Sequence, residues 1–160
     1  MTVQWARGVD RVVLTVRDDG RGGAVQDEGM GISGMRTRVS RLGGSLRDCK
    51  VAVLGLTFKR DTDDERDSLS HKLIRLLERE LADVAAHDPL VATPTASFEE
   101  AIADADVVVV ATNHSAFSRP EALRAIAERA GADCLVVDPW NALGTGRVFA
   151  YVSEVVALRA

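Results

Sequence analysis

The sequence predicts an α/β protein: a Rossmann-like three-layer sandwich on a parallel sheet, preceded by a short glycine-rich α+β fragment. Three observations predict it. Apolar runs of strand length, Val51-Ala52-Val53-Leu54 and Val107-Val108-Val109-Val110, are bounded by polar turns and read as buried parallel strands. Between them Leu69, Leu73, Leu77 and Leu81 recur every four residues with Ile74 beside them, one apolar helical stripe. The composition also shifts along the chain. Residues 1 to about 48 carry most of the glycines and are net basic, whereas the remainder is net acidic. The shift places a junction at Leu42-Gly43-Gly44-Ser45-Leu46 and divides the chain into 1–46 and 47–160.

In the first part, Arg11–Arg17 alternates apolar and polar residues and runs into Asp18-Asp19-Gly20-Arg21-Gly22. The second part starts with a strand over Val51–Leu56. The leucine stripe makes the next helix, with Asp67 or Ser68 available to cap it. Val84–His87 reads as a short strand ending in Asp88-Pro89. Ser97 and Glu100 have capping-box spacing ahead of a helix over Phe98–Ala103. Asp106–Ala111 is the third strand. Ser118 and Glu121 repeat the capping-box spacing, with Pro120 in the first turn of a helix ending at Gly131. Leu135–Val137 is the last strand read, followed by Asp138-Pro139-Trp140-Asn141. Strands alternating with helices of this length imply right-handed βαβ units.

Composition excludes several classes. At 160 residues the chain suits one ordinary domain, or one domain with an appendage. A net charge of −4 with dispersed basic residues argues against a nucleic-acid partner. Cys49 and Cys134 have no metal-ligand spacing around them and read as reduced thiols. No apolar run approaches the ~20 residues that cross a bilayer, and Met1–Gly8 has no signal-peptide core. The expectation is a cytoplasmic protein with neither a membrane nor a metal partner.

Chemistry concentrates after the first strand of the second part, in K-V-A-V-L-G-L-T-F-K-R-D-T-D-D-E-R-D-S, Lys50 to Ser68. A charged loop at the carboxyl edge of a sheet is where open α/β folds hold ligands. Gly55 stands alone there, so the loop is not the G-x-G-x-x-G dinucleotide turn. The string resembles the C-terminal UDP-binding domain of the UDP-glucose/GDP-mannose dehydrogenase family, whose pattern is roughly G-L-x-F-K-x-x-T-D-D-x-R-x-S. It matches at Gly55, Leu56, Phe58, Lys59, Thr62, Asp63, Asp64, Arg66 and Ser68.

The resemblance implies a UDP-sugar held by Phe58 and Lys59. A lysine there suits a phosphate as a compact charge; the alternative is a solvated lysine paired with Asp61 or Asp63. It also implies that Arg66 reaches toward NAD on a neighbouring domain, unless it pairs with Asp63, Asp64 or Asp67. Trp140-Asn141 stand where many members have Gly-Arg-Asn, and are taken as UDP-sugar contacts; Trp140 either stacks on a ring or packs. Asp88-Pro89 is equally a turn or a ligand position. His114 either donates to a phosphate or is a solvated loop residue. Full enzymes of the family oxidise a sugar hydroxyl with NAD and a nucleophilic cysteine. Neither cysteine here has that context, so no catalytic residue and no tightly bound cofactor are expected of this chain. A partner chain supplying the NAD-binding domain, or a homodimer, is compatible with it.

The first part carries a different resemblance. D-D-G-R-G with G-M-G-I-S-G-M-R-T-R-V-S-R-L-G-G is similar to the glycine boxes of the sensor histidine kinase ATP-binding domain, over about residues 3–46. Asp18 matches the residue that accepts the adenine amino group, and Gly20, Gly22, Gly29 and Gly31 match the glycines of the nucleotide pocket. The asparagine box and the phosphoacceptor helix are absent, so the resemblance implies a vestigial ATP site. Two such parts joined suggest a gene fusion, a recombination product or an engineered chimera. The functions left open are a UDP-sugar-binding domain inactive alone, a non-catalytic nucleotide-binding or interaction module, and a regulatory remnant of a sensor kinase.

Overall fold

The computed structural model describes residues 46–93 and 95–157, together with the backbone of 2–8 and 11–17. The chain divides into two compact units, Met1–Ser45 and Leu46–Ala160. In the first, β1 (Thr2–Gly8) pairs antiparallel with β2 (Arg11–Arg17), in register from Thr2 opposite Arg17 to Gly8 opposite Arg11. Asp18, Gly20, Gly22, Gly29 and Gly31 lie outside the described residues.

The second unit is built on a five-stranded sheet of order β4-β3-β5-β6-β7. Its elements are β3 (Lys50–Leu54), α1 (Ser70–Arg79), β4 (Asp83–His87), α2 (Phe98–Ile102), β5 (Val107–Val110), a 3-10 turn (Ser115–Ser118), α3 (Pro120–Arg129), β6 (Leu135–Val137), β7 (Phe149–Tyr151) and α4 (Val152–Ala157). Strands β4, β3, β5 and β6 run parallel, and β7 closes the edge antiparallel to β6. The sheet is therefore mostly rather than wholly parallel, because β7 and α4 follow the last strand read from sequence.

β3 is central and every residue from Val51 to Leu54 is buried. Alternation sends its side chains to both faces. Ala52 and Leu54 join Val108, Val110 and Val136 in one core cluster with Ile102, Leu123, Ile126 and Val155. The crossover from β3 to β4 and the return from β4 to β5 run in opposite directions. Right-handed crossovers then put α1 on the opposite face from α2 and α3, and α1 packs against β4 and β3. Helices on both faces of the sheet make the predicted three layers.

Several local expectations need correction. α1 starts at Ser70 with Leu69 as its cap residue and no side-chain cap; Asp67 sits in a turn at φ 59°. Ser68 Oγ accepts the Ser70 amide but donates to the Thr57 carbonyl, so it ties the helix to the β3 loop. Leu81 does not extend the stripe. It lies past the helix at φ 64°, where the Leu81 and Ala82 amides bond back to Glu78 and Leu77 in a Schellman closure. The two capping-box spacings part company. Ser97 and Glu100 form the full reciprocal box on α2. Ser118 caps nothing, and α3 starts at Pro120 with Arg119 as its cap residue. The reason is Pro120: a residue before proline is pushed out of the helical region, and Arg119 adopts ψ 146°.

Candidate functional site

The sheet order places a topological switch at β3 and β5: the chain leaves β3 for β4 on one side and returns to β5 on the other. Ligand crevices of open α/β sheets form outside the carboxyl ends of the strands at such a point. The loops after β3 and β5 meet there at very close range. Gly55 has φ +93°, and a Cβ on it would stand 2.6 Å from Thr112 Cβ and 2.7 Å from the Thr112 backbone. Glycine is required on both counts. Since this turn is packed against Thr112, it offers no cradle for a dinucleotide pyrophosphate.

A buried polar network fills the switch point. His114 is fully buried. Its Nδ1 accepts the Asp61 amide at 2.9 Å. Its Nε2 lies 3.0 Å from both Asp88 Oδ2 and Thr57 Oγ1. Asp88 is also buried, accepting the Leu56 amide at 2.6 Å and the Leu90 amide at 2.9 Å. The Thr57 hydroxyl donates to the Lys59 carbonyl, and Thr112 Oγ1 donates to the Thr57 carbonyl. A solvated histidine was one of two expectations for His114; burial overturns it. Asp88 makes the turn after β4 and is spent on backbone amides and His114. The signals available were the strand-terminal position of Asp88 and the place of His114 just beyond four valines, but nothing in the sequence pairs the two.

Above this network the predicted residues face solvent. Phe58 is 57% exposed, and its amide donates to the Asp64 carbonyl at 2.9 Å. The Lys59 ammonium sits 5.9 Å from the Phe58 ring centroid. It pairs with neither Asp61 nor Asp63. Asp61 is taken by the Ser115 hydroxyl and amide and then by Arg60, which hold its carboxyl down to about 2. Arg66 makes a bidentate pair with Asp64 at 2.8 Å, and the guanidinium holds that carboxyl at about 2 as well.

Trp140 and Asn141 come to the same edge from the loop after β6. Asp138, buried beneath them, shapes that loop by accepting the amides of Trp140, Ala142 and Leu143. Trp140 is not packed: it is 55% exposed, with its indole N–H donating to the Ala111 carbonyl at 3.0 Å. Asn141, at φ 54°, accepts the Gly146 amide. The fold thus brings Phe58, Lys59, Trp140 and Asn141 to the carboxyl edge of one sheet, on loops flanking the end of β5. A cavity of about 370 Å³ lies among His87, Phe98, Phe117 and Arg119, and none of the predicted residues lines it.

Neither thiol is primed as a nucleophile. Burial pushes Cys134 up to about 12, and desolvation with Asp106 and Asp48 nearby raises Cys49. Among the described residues no group of His, Cys, Asp and Glu is placed to hold a metal. No helix among them is long and apolar enough to cross a membrane.

Comparison with known proteins gives a consistent result. Residues 52–145 match the family described as UDP-glucose/GDP-mannose dehydrogenase family, UDP binding domain. A UDP-N-acetyl-D-mannosamine dehydrogenase from Pyrococcus horikoshii is 37% identical over 67 residues, 42% of this chain and 16% of that protein. A UDP-glucose 6-dehydrogenase from Rhizobium meliloti is 44% identical over 54 residues, 34% of this chain and 12% of that one. Among solved structures, the UDP-D-ManNAc dehydrogenase of P. horikoshii superposes with a TM-score of 0.58 at 26% identity, over 68% of this chain and 25% of the other. The NDP-N-acetyl-D-galactosaminuronic acid dehydrogenase of Methanosarcina mazei Go1 gives 0.59 at 25% identity, over 89% and 32%. The chain therefore spans less than a third of these relatives. It belongs to the UDP-glucose/GDP-mannose dehydrogenase family, by its UDP binding domain.

Proposed function

We propose that Leu46–Ala160 is the nucleotide-sugar-binding domain of an NAD-dependent UDP-sugar 6-dehydrogenase, and that this chain does not oxidise the sugar by itself. The observation that carries the reading is Lys59. Its ammonium makes no hydrogen bond or ion pair with a carboxylate among the described residues: Asp64, near enough to feel its charge, is held by Arg66, and Lys59 stands beside an exposed aromatic ring at the switch point of the sheet. An exposed cation with no hydrogen-bonded carboxylate, and with Phe58 beside it, suits a diphosphate carrying a flat base. Trp140 and Asn141 add a second ring and an amide on the neighbouring loop.

NAD supplies the hydride acceptor in dehydrogenases of this kind, and the described residues of this unit do not fit it. The turn at Gly55 is filled by Thr112, and Arg66 is occupied by Asp64. In the proposal Arg66 leaves Asp64 for NAD only when another domain, on a partner chain, presents it. Both thiols are raised, which supports the absence of a catalytic cysteine here. A non-catalytic nucleotide-binding module remains the second reading, favoured by the same packed turn.

Calorimetric titration with UDP, UDP-glucose, NAD and ATP tests this. UDP and UDP-glucose are expected to bind weakly, with NAD and ATP silent. Lys59→Ala is expected to cost roughly 1.5–3 kcal/mol of UDP affinity, the range for a charge-assisted hydrogen bond. Lys59→Arg restores it only in part, since a planar fork replaces a compact charge. UDP-glucose that neither binds at millimolar concentration nor raises the melting temperature would sink the reading. A second expected outcome is no NADH from UDP-glucose and NAD; steady turnover by the pure chain would refute inactivity.

A further inference from the structure

We infer that His114 is a positioning residue: as a neutral imidazole protonated on Nε2, it latches the Phe58–Asp61 loop from beneath and so sets where Lys59 stands. What the loop holds rests on the nucleotide-sugar reading above; how His114 holds the loop does not.

The hydrogen bonds assign the tautomer. The Asp61 N–H points at Nδ1 from 2.9 Å, and an amide can only donate, so Nδ1 is a bare acceptor. The ring proton is then on Nε2, 3.0 Å from Asp88 Oδ2. Thr57 Oγ1 is equally close, and its own proton goes to the Lys59 carbonyl. It therefore accepts from the same Nε2–H. The imidazole joins a buried carboxylate on one side to a loop amide on the other.

The placement of those bonds is specific to the segment that carries Lys59. Its carbonyl is held by the hydroxyls of Thr57 and Thr62. Two residues on, the Asp61 amide is held by His114. The peptide groups on either side of Arg60, the first of them directly after Lys59, are thus fastened, while the side chains of Phe58, Lys59 and Arg60 are exposed. The charged groups facing the ring are Asp88 at Nε2 and Asp61, whose Oδ1 lies 3.8 Å from Nδ1. Phe117 packs against the ring in a T-shaped contact, with centroids 5.8 Å apart. A packing histidine would need none of this donor and acceptor order.

Two substitutions separate the halves of the latch. In His114→Asn the side-chain oxygen occupies the place of Nδ1 and still accepts from Asp61, but the bond to Asp88 is lost. In His114→Gln the amide nitrogen reaches the place of Nε2 and serves Asp88, but Asp61 loses its acceptor. The expected result is a crossed pattern. His114→Gln weakens UDP binding roughly tenfold, about the loss of one hydrogen bond, and releases the Asp61 amide to fast hydrogen exchange. His114→Asn melts lower yet rescues both the Asp61 protection and the UDP affinity. Two variants that bind UDP like the parent, or that lose it alike, would overturn the inference. Should neither variant fold, the parent decides: a long-range ¹H–¹⁵N spectrum must show the His114 proton on Nε2, and a proton on Nδ1 refutes the latch. If the parent binds neither UDP nor UDP-glucose while Asp61 is protected and Nε2 protonated, the nucleotide-sugar reading falls and the positioning role stands.

Discussion

Asp61 lies exposed at the point where the β3 and β5 loops are tied together. Hydrogen bonds from the Ser115 hydroxyl and amide, then Arg60, lower its carboxyl from the ordinary 3.8 to about 2. A depressed folded-state value means the tie is fully present above pH ~4 and is lost as pH falls toward 2. Carbonyl NMR titration is therefore expected to place the Asp61 midpoint near 2, with the Ser115 amide shifting along the same curve; a midpoint near 3.8 would show that the tie does not form in solution. At this scale the site was half legible. Phe58 and Lys59 could be picked out because a run of mixed chemistry follows a buried strand, and both emerge exposed at the sheet edge. His114, Asp88 and Thr57 could not be grouped, because 26 and 57 residues separate His114 from its partners. Their meeting is made by β3, β4 and β5 lying side by side, which no local spacing encodes.

Elements test how far spacing alone can be read. Ser97 and Ser118 stand in the same S-x-x-E pattern, yet only Ser97 accepts the Glu100 amide and only Glu100 reaches back to the Ser97 amide. Ser97→Ala is expected to cost about 1 kcal/mol in urea unfolding, the usual loss for an N-cap. Ser118→Ala is expected to stay within about 0.5 kcal/mol, as surface changes away from caps do. Equal losses at the two sites would contradict the assigned helix starts. The proline between Ser118 and Glu121 was the clue, and its effect on Arg119 outweighs the pattern. The buried strands β3 and β5 were legible from their valines to within two residues. β7 was not: three residues, Phe149–Tyr151, carry too little pattern to announce an antiparallel edge.

For the whole molecule, the division at Ser45 and Leu46 sets the next question, whether Leu46–Ala160 stands as a folding unit. Its core runs through α2, β3, β5, α3, β6 and α4, so one cluster joins residues from Ala52 to Val155. Such a core opens cooperatively or not at all. Cys134 sits inside it at 1% exposure, and burial raises its thiol to about 12. Thiolate is the reactive form, so at pH 8 this thiol is doubly shielded, by access and by protonation. Limited proteolysis is expected to leave a protected fragment starting near Leu46. Within that fragment Cys134 should resist iodoacetamide until urea unfolds it, and the urea midpoints by alkylation and by circular dichroism should coincide. A fragment that loses residues from its core, or a Cys134 that alkylates at the rate of a free cysteine in native buffer, would show that the cluster does not close without Met1–Ser45.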